Sequence, residues 1–168
     1  MKIGVLSDTH NHLPETRRAL AALMALGARH LVHCGDAGDD VVDLLAATGL
    51  AHGLRTHLAI GNCDPGRDAD ARFAPLPAGI ERGSVLEFTL AGKRCAVLHG
   101  NHPGALQNAI ASGTFDYVFT GHTHQPQDEQ AGRTRILNPG SCARPRGGPP
   151  TVLLLDLATG EARWIPAG

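Results

Sequence analysis

Seven side chains of metal-ligating type fall in five short clusters: Asp8-Thr9-His10, Gly35-Asp36, Gly61-Asn62, His99-Gly100 and Gly121-His122-Thr123-His124. Each cluster closes an apolar run. Together they bring two carboxylates (Asp8, Asp36), one carboxamide (Asn62) and four imidazoles (His10, His99, His122, His124). Imidazole with carboxylate suits Mn²⁺, Fe²⁺, Zn²⁺ or Ni²⁺ better than Ca²⁺, and no thiolate cluster points to structural zinc. Seven ligands are too many for one tetrahedral ion. They suit two ions about 4 Å apart, the spacing of paired-metal hydrolases. One ligand must then be shared, and a carboxylate with two oxygens is the natural bridge.

Taken singly, each cluster has an ordinary explanation. Asp8-Thr9-His10 reads as a helix cap before Pro14. Gly35-Asp36 and Gly61-Asn62 read as turns, and His99 as a satisfied core histidine. Taken together, the ordinary explanation needs five coincidences in chain order, each at the end of an apolar run.

The elements that must position these residues are legible in the same pattern. Residues 2–6 (KIGVL) form a buried strand feeding Ser7-Asp8. Pro14-Glu15 opens a helix that runs to Gly27, with Leu20, Leu23, Met24 and Leu26 on its core side. Residues 29–34 form a second strand, a helix follows from Gly35-Asp36 through about Thr48, and residues 55–60 form a third strand. This alternation predicts a parallel sheet with crossovers. Residues 64–82, rich in Pro, Gly, Arg and Asp, read as a long loop. Residues 84–90 and 93–98 make a hairpin about Ala91-Gly92. A short helix spans 103–111, and strands cover 116–120 and 133–137. After the Pro-Gly-rich stretch 138–150 comes a hairpin of 151–156 and 161–165 about Thr159-Gly160. The fold class is α/β: two packed β-sheets flanked by α-helices, in a single domain over residues 1–168. Loops at the carboxyl ends of parallel strands converge on one crevice, so the five clusters can meet.

Composition narrows the class. The 168 residues suffice for one real core. A formal net charge of −1 gives no basic nucleic-acid surface and no polybasic membrane patch. The apolar runs are too short to span a bilayer, and the start reads as a strand, not a signal peptide. The four cysteines show no CxxC spacing. Reduced thiols fit a cytoplasmic protein.

The ordered motifs Asp-x-His, Gly-Asp, Gly-Asn, His-Gly and Gly-His-x-His resemble those of the calcineurin-like metallophosphoesterases. The small size and the phrase GNCD are similar to the compact bacterial and archaeal phosphodiesterase subfamily. The resemblance runs from residue 3 to about residue 141. It implies a metallophosphoesterase-like four-layer sandwich. It puts Asp8, His10 and His124 on one metal and Asn62, His99 and His122 on the other, with Asp36 bridging. It implies two divalent ions per chain, Mn²⁺ first, and a hydroxide between them as the nucleophile on phosphorus. The catalytic set it suggests is Asp36, Asn62, Cys63, Asp64 and His99.

Two positions depart from the family pattern. Many members carry His after Gly-Asn, where it assists the leaving group; here stands Cys63, a weaker acid toward an alkoxide, with Asp64 beside it. Asn101-His102 follows His99-Gly100 where a second histidine is usual. His30, His33, His52 and His57 read as structural or solvated, and His12 as a minor candidate for substrate contact. Arg144 and Arg146, after Ser141 in a Gly-Pro-rich loop, are able to bind phosphate, although solvated loop arginines are the commoner case. The resulting expectation is a hydrolase acting on small phosphodiesters, or on phosphomonoesters. A homo-oligomer is allowed. The rival is a binding module that keeps the fold without the chemistry, and the discriminator is that all seven ligands are present.

Overall fold

The computed structural model describes residues 1–64 and 76–167. Most of the stretch expected as a long loop lies outside the described residues. Two sheets stack with helices on both outer faces. The first has strand order β11-β10-β1-β2-β3-β4 and the second β5-β6-β7-β9-β8. In chain order the elements are β1 (Lys2–Leu6), α1 (Leu13–Ala25), β2 (His30–His33), α2 (Asp39–His52), β3 (Thr56–Ala59), β4 (Ile80–Gly83), β5 (Val85–Leu90), β6 (Lys93–Leu98), α3 (Pro103–Ala111), β7 (Tyr117–Phe119), β8 (Pro126–Ala131), β9 (Thr134–Pro139), β10 (Thr151–Asp156) and β11 (Ala162–Pro166).

Strand alternation builds the layers. On β1, Ile3 and Val5 face inward with Val32 and Leu153 against Val97, Phe119 and Leu137 of the second sheet. Leu6, with Leu31 and Leu58, faces outward under Leu23 of α1 and Leu45 of α2. Leu98, Val118 and Ile136 carry α3 through Ala109. The helix α1 lies close on its sheet: a Cβ at Gly4 would come within 2.9 Å of Leu23 Cδ1.

Register explains the convergence of the clusters. β1, β2 and β3 run parallel, as do β6, β7 and β9. Each set therefore presents three carboxyl ends at one rim of the sandwich. The tight β5–β6 turn forms as expected, with Ala91 (φ 49°) and Gly92 (φ 77°) both left-handed, the geometry that matches strand twist.

Two strands escape the sequence pattern. β4 takes up the last three residues of the stretch expected as a loop, together with Gly83, and pairs in parallel with β3. Its sequence, IERG, has a single apolar residue, so tertiary pairing with β3 decides its conformation. β8 (PQDEQA) is an edge strand paired with β9. Its mostly exposed polar residues carry no apolar alternation, as suits an edge guarded against further pairing. The helix α2 begins at Asp39, later than expected, because residues 35–38 form the loop that carries Asp36. No helix among the described residues is long and apolar enough to cross a membrane.

Candidate metal centre

Each cluster lies just beyond a strand: Asp8 after β1, Asp36 after β2, Asn62 after β3, His99 after β6, and His122 with His124 after β7. The backbone there is strained. Among the described residues, seven non-glycine positions have positive φ, and five belong to the cluster set: Asp8 (52°), His10 (44°), Asp36 (55°), His122 (67°) and His124 (61°). Such conformations cost roughly 1–3 kcal/mol each for non-glycine residues and persist where surrounding structure enforces them, commonly at functional sites. Sharp reversals aim consecutive polar side chains into the crevice instead of letting the strand run on. Two glycines make room for the close approach. A Cβ at Gly35 (φ 99°) would sit 2.8 Å from His99 Nδ1, and one at Gly61 would collide with the Asp36 carboxylate.

The side chains meet as two sets joined at Asp36. In the first, His124 Nε2 lies 3.2 Å from Asp8 Oδ1 and 3.4 Å from His10 Nε2. In the second, His99 Nε2 lies 3.0 Å from Asn62 Oδ1, and the ring of His122 stands edge-on to His99 at 5.1 Å between centroids. Asp36 Oδ2 lies 3.9 Å from His10 Nε2 and 3.4 Å from His99 Nε2. The ligand atoms of Asp8, His10 and His124 fall within 4.8 Å of one another, as do those of Asp8, Asp36 and His99. His10, Asp36, Asn62, Cys63, His122 and His124 line one cavity of about 460 Å³. Asp8 and His99 do not line it; they are buried beside His124 and Asp36, at 0 and 1% exposure.

These atoms call for a cation. Asp8 Oδ1 is buried and accepts no hydrogen bond, a costly state for a carboxylate oxygen. His124 Nδ1 donates to the Arg144 carbonyl at 2.5 Å, so its Nε2 presents a lone pair to that oxygen. His99 Nδ1 donates to the Cys34 carbonyl at 2.8 Å, leaving Nε2 aimed at the oxygens of Asn62 and Asp36. Lone pairs converge on one another, and only a positive charge between them, proton or metal, relieves the repulsion. The donor set of imidazole and carboxylate, each ring fixed through its other nitrogen, fits a transition metal.

Electrostatics agree. Burial pushes the Asp8 carboxyl upward, against the Ser7 hydrogen bond and the charges of His99 and His124. Burial also acts on Asp36, but the His99 hydrogen bond and the Cys63 N–H outweigh it and hold this carboxyl well below the usual range. His99 is lowered by burial yet raised overall by Asp36 and Asp8. Burial depresses His10 and His122, favouring the neutral, ligating form. The Cys63 thiol is raised, first by what burial it has and then by Asp36 and Asp64. It therefore stays protonated at neutral pH.

The supporting shell holds residues that the sequence reading left in doubt or passed over. Asp64, expected in the catalytic set, is 5% exposed. Its carboxylate accepts the backbone N–H groups of Asp36 (2.9 Å), Ala37 (2.7 Å), Gly38 (3.1 Å) and Gly61 (2.8 Å). It ties two ligand loops together. The Cys63 N–H in turn donates to Asp36 Oδ1 at 2.7 Å. His33 is a core histidine as expected: Nδ1 accepts from the Gly35 N–H and Nε2 meets Thr9 Oγ1 at 3.0 Å. His30 and His57 pair at 2.7 Å and stack against Phe88, away from the cavity. Asn101 and His102 line a neighbouring cavity of about 290 Å³ that shares His99 and Gly61 with the site. Ser7 donates to Asp8 Oδ2 at 2.5 Å, and Ser141 to the Asp8 carbonyl at 2.8 Å. Neither serine was singled out as functional, because a hydroxyl beside a glycine or an aspartate is common in turns. Arg144 and Arg146 are exposed, as expected of loop arginines, and both line the cavity.

With this geometry, the chain's kinship is concordant. Residues 1–160 match the calcineurin-like phosphoesterase superfamily domain, and the chain belongs to that superfamily. It is 31% identical to a phosphodiesterase of Methanocaldococcus jannaschii, over 98% of each chain. It is 32% identical to phosphodiesterase YfcE of Escherichia coli, over 89% of this chain and 84% of the relative. Among solved structures, an archaeal phosphodiesterase superposes with a TM-score of 0.82 at 29% identity, covering 98% of this chain and 99% of the other.

Proposed function

We infer that this chain is a metal-dependent phosphodiesterase, a single domain over residues 1–168 that hydrolyses small phosphodiesters. One observation carries the reading: the Asp36 carboxylate stands between two ligand sets, 3.9 Å from His10 Nε2 and 3.4 Å from His99 Nε2. Asp8, His10 and His124 would hold one divalent ion and Asn62, His99 and His122 the other, with Asp36 shared. Mn²⁺ is the first choice, then Fe²⁺, Zn²⁺ or Ni²⁺. When bound, such a pair supplies Lewis acidity toward the phosphoryl group and a water acidified toward neutrality.

The protein's own part is orientation. His99 and His124 are held by the carbonyls of Cys34 and Arg144, so their Nε2 lone pairs point inward. Asp64 locks the loops of Asp36 and Asn62 to each other. Cys63, a protonated thiol lining the cavity, would be the donor to a leaving alkoxide. Its acidity is poor, so esters with good leaving groups should be favoured. The relatives named as phosphodiesterases support the choice of diesters. Three buried reduced cysteines, Cys34, Cys95 and Cys142, support a cytoplasmic setting.

The test is a metal-reconstituted assay of the purified protein against aryl diesters, cyclic nucleotides and monoesters. Diester turnover should vanish with a chelator and return with Mn²⁺. Full metal loading with no turnover of any phosphoester would leave the binding-module reading instead.

A further inference from the structure

The wall of the cavity carries two cations that the metal centre does not require. Residues 140–147 follow β9, and three hydrogen bonds pin this loop to the ligand set. Ser141 Oγ donates to the Asp8 carbonyl and accepts the Arg144 N–H, each at 2.8 Å. The Arg144 carbonyl accepts His124 Nδ1–H at 2.5 Å, and the Arg146 N–H donates to the His124 carbonyl at 3.2 Å. The backbone of both arginines is thus fixed to His124 itself. Both arginines are exposed and, with Pro145, line the same cavity as His10, Asp36, His122 and His124. The charge of Arg144 is felt at His10 and that of Arg146 at His122. Arg144 Nε donates to His12 Nε2 at 3.3 Å, and His12 Nδ1 lies 4.0 Å from Glu15 Oε2, which restrains that guanidinium at the rim.

No carboxylate within ion-pair distance answers either guanidinium among the described residues, in contrast to Arg18, Arg133 and Arg135, which pair with Glu15, Asp116 and Asp128. The cavity, at about 460 Å³, falls in the range of small-molecule sites and exceeds what one phosphoryl group fills. Among its described lining residues, Pro145 is the only one with a wholly apolar side chain, and no Phe, Tyr or Trp offers a stacking face. What the wall can recognise is negative charge in planar, forked geometry, the speciality of guanidinium.

We propose that Arg144 and Arg146 form an anion clamp that selects phosphodiesters carrying a second phosphate group close to the scissile one. This names the substrate class of the site and rests on the phosphodiesterase reading above. A simple diester bears one negative charge, which the metal-ligating floor meets. The two arginines of the wall meet the additional phosphate, orient the substrate across the cavity and leave the scissile phosphorus over the floor. Arg144 is doubly placed: its carbonyl holds His124 and its guanidinium holds substrate. Replacement by alanine keeps the carbonyl and removes only the second role.

Two chromogenic esters with the same leaving group separate the terms: thymidine 5′-(p-nitrophenyl phosphate) and the same ester bearing a 3′-phosphate. The Mn²⁺-loaded wild type should show kcat/KM at least about tenfold higher for the 3′-phosphorylated ester, the scale of one or two charge-assisted contacts. Arg144→Ala and Arg146→Ala should each bring that ratio down severalfold, and the double variant to within about threefold of unity. Arg146→Lys should retain part of it. Metal content, measured by elemental analysis, should remain at the wild-type level in all variants. Calorimetric binding of thymidine 3′,5′-bisphosphate against thymidine 5′-monophosphate gives a readout independent of turnover and should lose its preference in the same variants. Hydrolysis of both esters at equal efficiency by the wild type, or a preference that survives the double variant, overturns the clamp while leaving the phosphodiesterase reading intact. If neither ester is cleaved but the bisphosphate preference is present and lost on Arg144→Ala with Arg146→Ala, the clamp stands and the hydrolase reading falls.

Discussion

His99 and Asp36 face each other with Nε2 and Oδ2 3.4 Å apart, while the other ring nitrogen of His99 is committed to the Cys34 carbonyl. Asp36 raises His99 above the ordinary imidazole range despite burial. Without metal, the proton on Nε2 neutralises the facing oxygens. A metal ion at this position must displace it.

Metal binding should therefore release protons and depend on pH. His99 is raised, so its proton is held below the shifted pKa and is lost above it. Apparent affinity should fall as pH drops through that value and level off on the alkaline side. Isothermal titration in buffers of different ionisation enthalpy, at several pH values, reads the proton count directly. Binding that is flat between pH 5.5 and 8 would contradict it.

Asp36→Asn should impair both ions, since a carboxamide offers one oxygen where the shared position needs two. Elemental analysis should show loss of more than one equivalent relative to wild type, and turnover of aryl diesters should drop at least about a hundredfold, within the range attributed to metal activation and charge stabilisation. Normal occupancy with normal turnover would refute the shared role.

Asp64 makes a different prediction. Four backbone N–H groups converge on its carboxylate. Asp64→Asn turns an amide toward donors, and Asp64→Ala leaves them unpaired in a buried place. Each should destabilise by about 2–4 kcal/mol in denaturant unfolding and weaken metal binding about 10- to 100-fold through the displaced loops. Catalytic loss with unchanged stability and metal affinity would instead mark Asp64 as a group that touches substrate.

Cys63 is raised above its ordinary value by burial and by the neighbouring carboxylates, so it is a weak acid beside the site. Alkyl diesters need protonation of the departing alkoxide; aryl diesters do not. Cys63→His should raise turnover of alkyl diesters more than that of aryl diesters, up to the roughly 10²- to 10⁴-fold scale of general acid catalysis. Cys63→Ser should change aryl rates little. An unchanged alkyl-to-aryl ratio in Cys63→His, with metal content intact, would remove Cys63 from the leaving-group side.

The strands bearing the clusters were legible because two signals coincide there. A buried central strand such as residues 2–6 must be an apolar run, and a ligand loop must break that run with Gly, Asp, Asn or His. β4 and β8 were not legible, since the edge position of each leaves side chains free to be polar, so that pairing with β3 or β9 and not apolar alternation decides their conformation. Asp64 and the arginine loop mark the same boundary within the site. In the chain, Asp64 stands beside Cys63 with nothing to show that it gathers backbone N–H groups, and Arg144 is a charge in a Pro-Gly-rich tail with nothing to show that its carbonyl meets His124.

By itself the sequence determined the chemistry on offer: which residues are of metal-ligating type, that they close apolar runs, and that two carboxylates stand among the seven candidates. The tertiary structure decided how these are grouped and what stands around them. Parallel register brings six carboxyl ends to one rim, so that residues 8 and 124 become partners at 3.2 Å. Backbone groups, invisible in a one-dimensional reading because every residue has them, then choose the roles. Four N–H groups claim Asp64, and the carbonyl of Arg144 turns His124 inward. That same hydrogen bond brings an arginine of the tail to the cavity that His10, Asp36, Asn62 and Cys63 of the first half line.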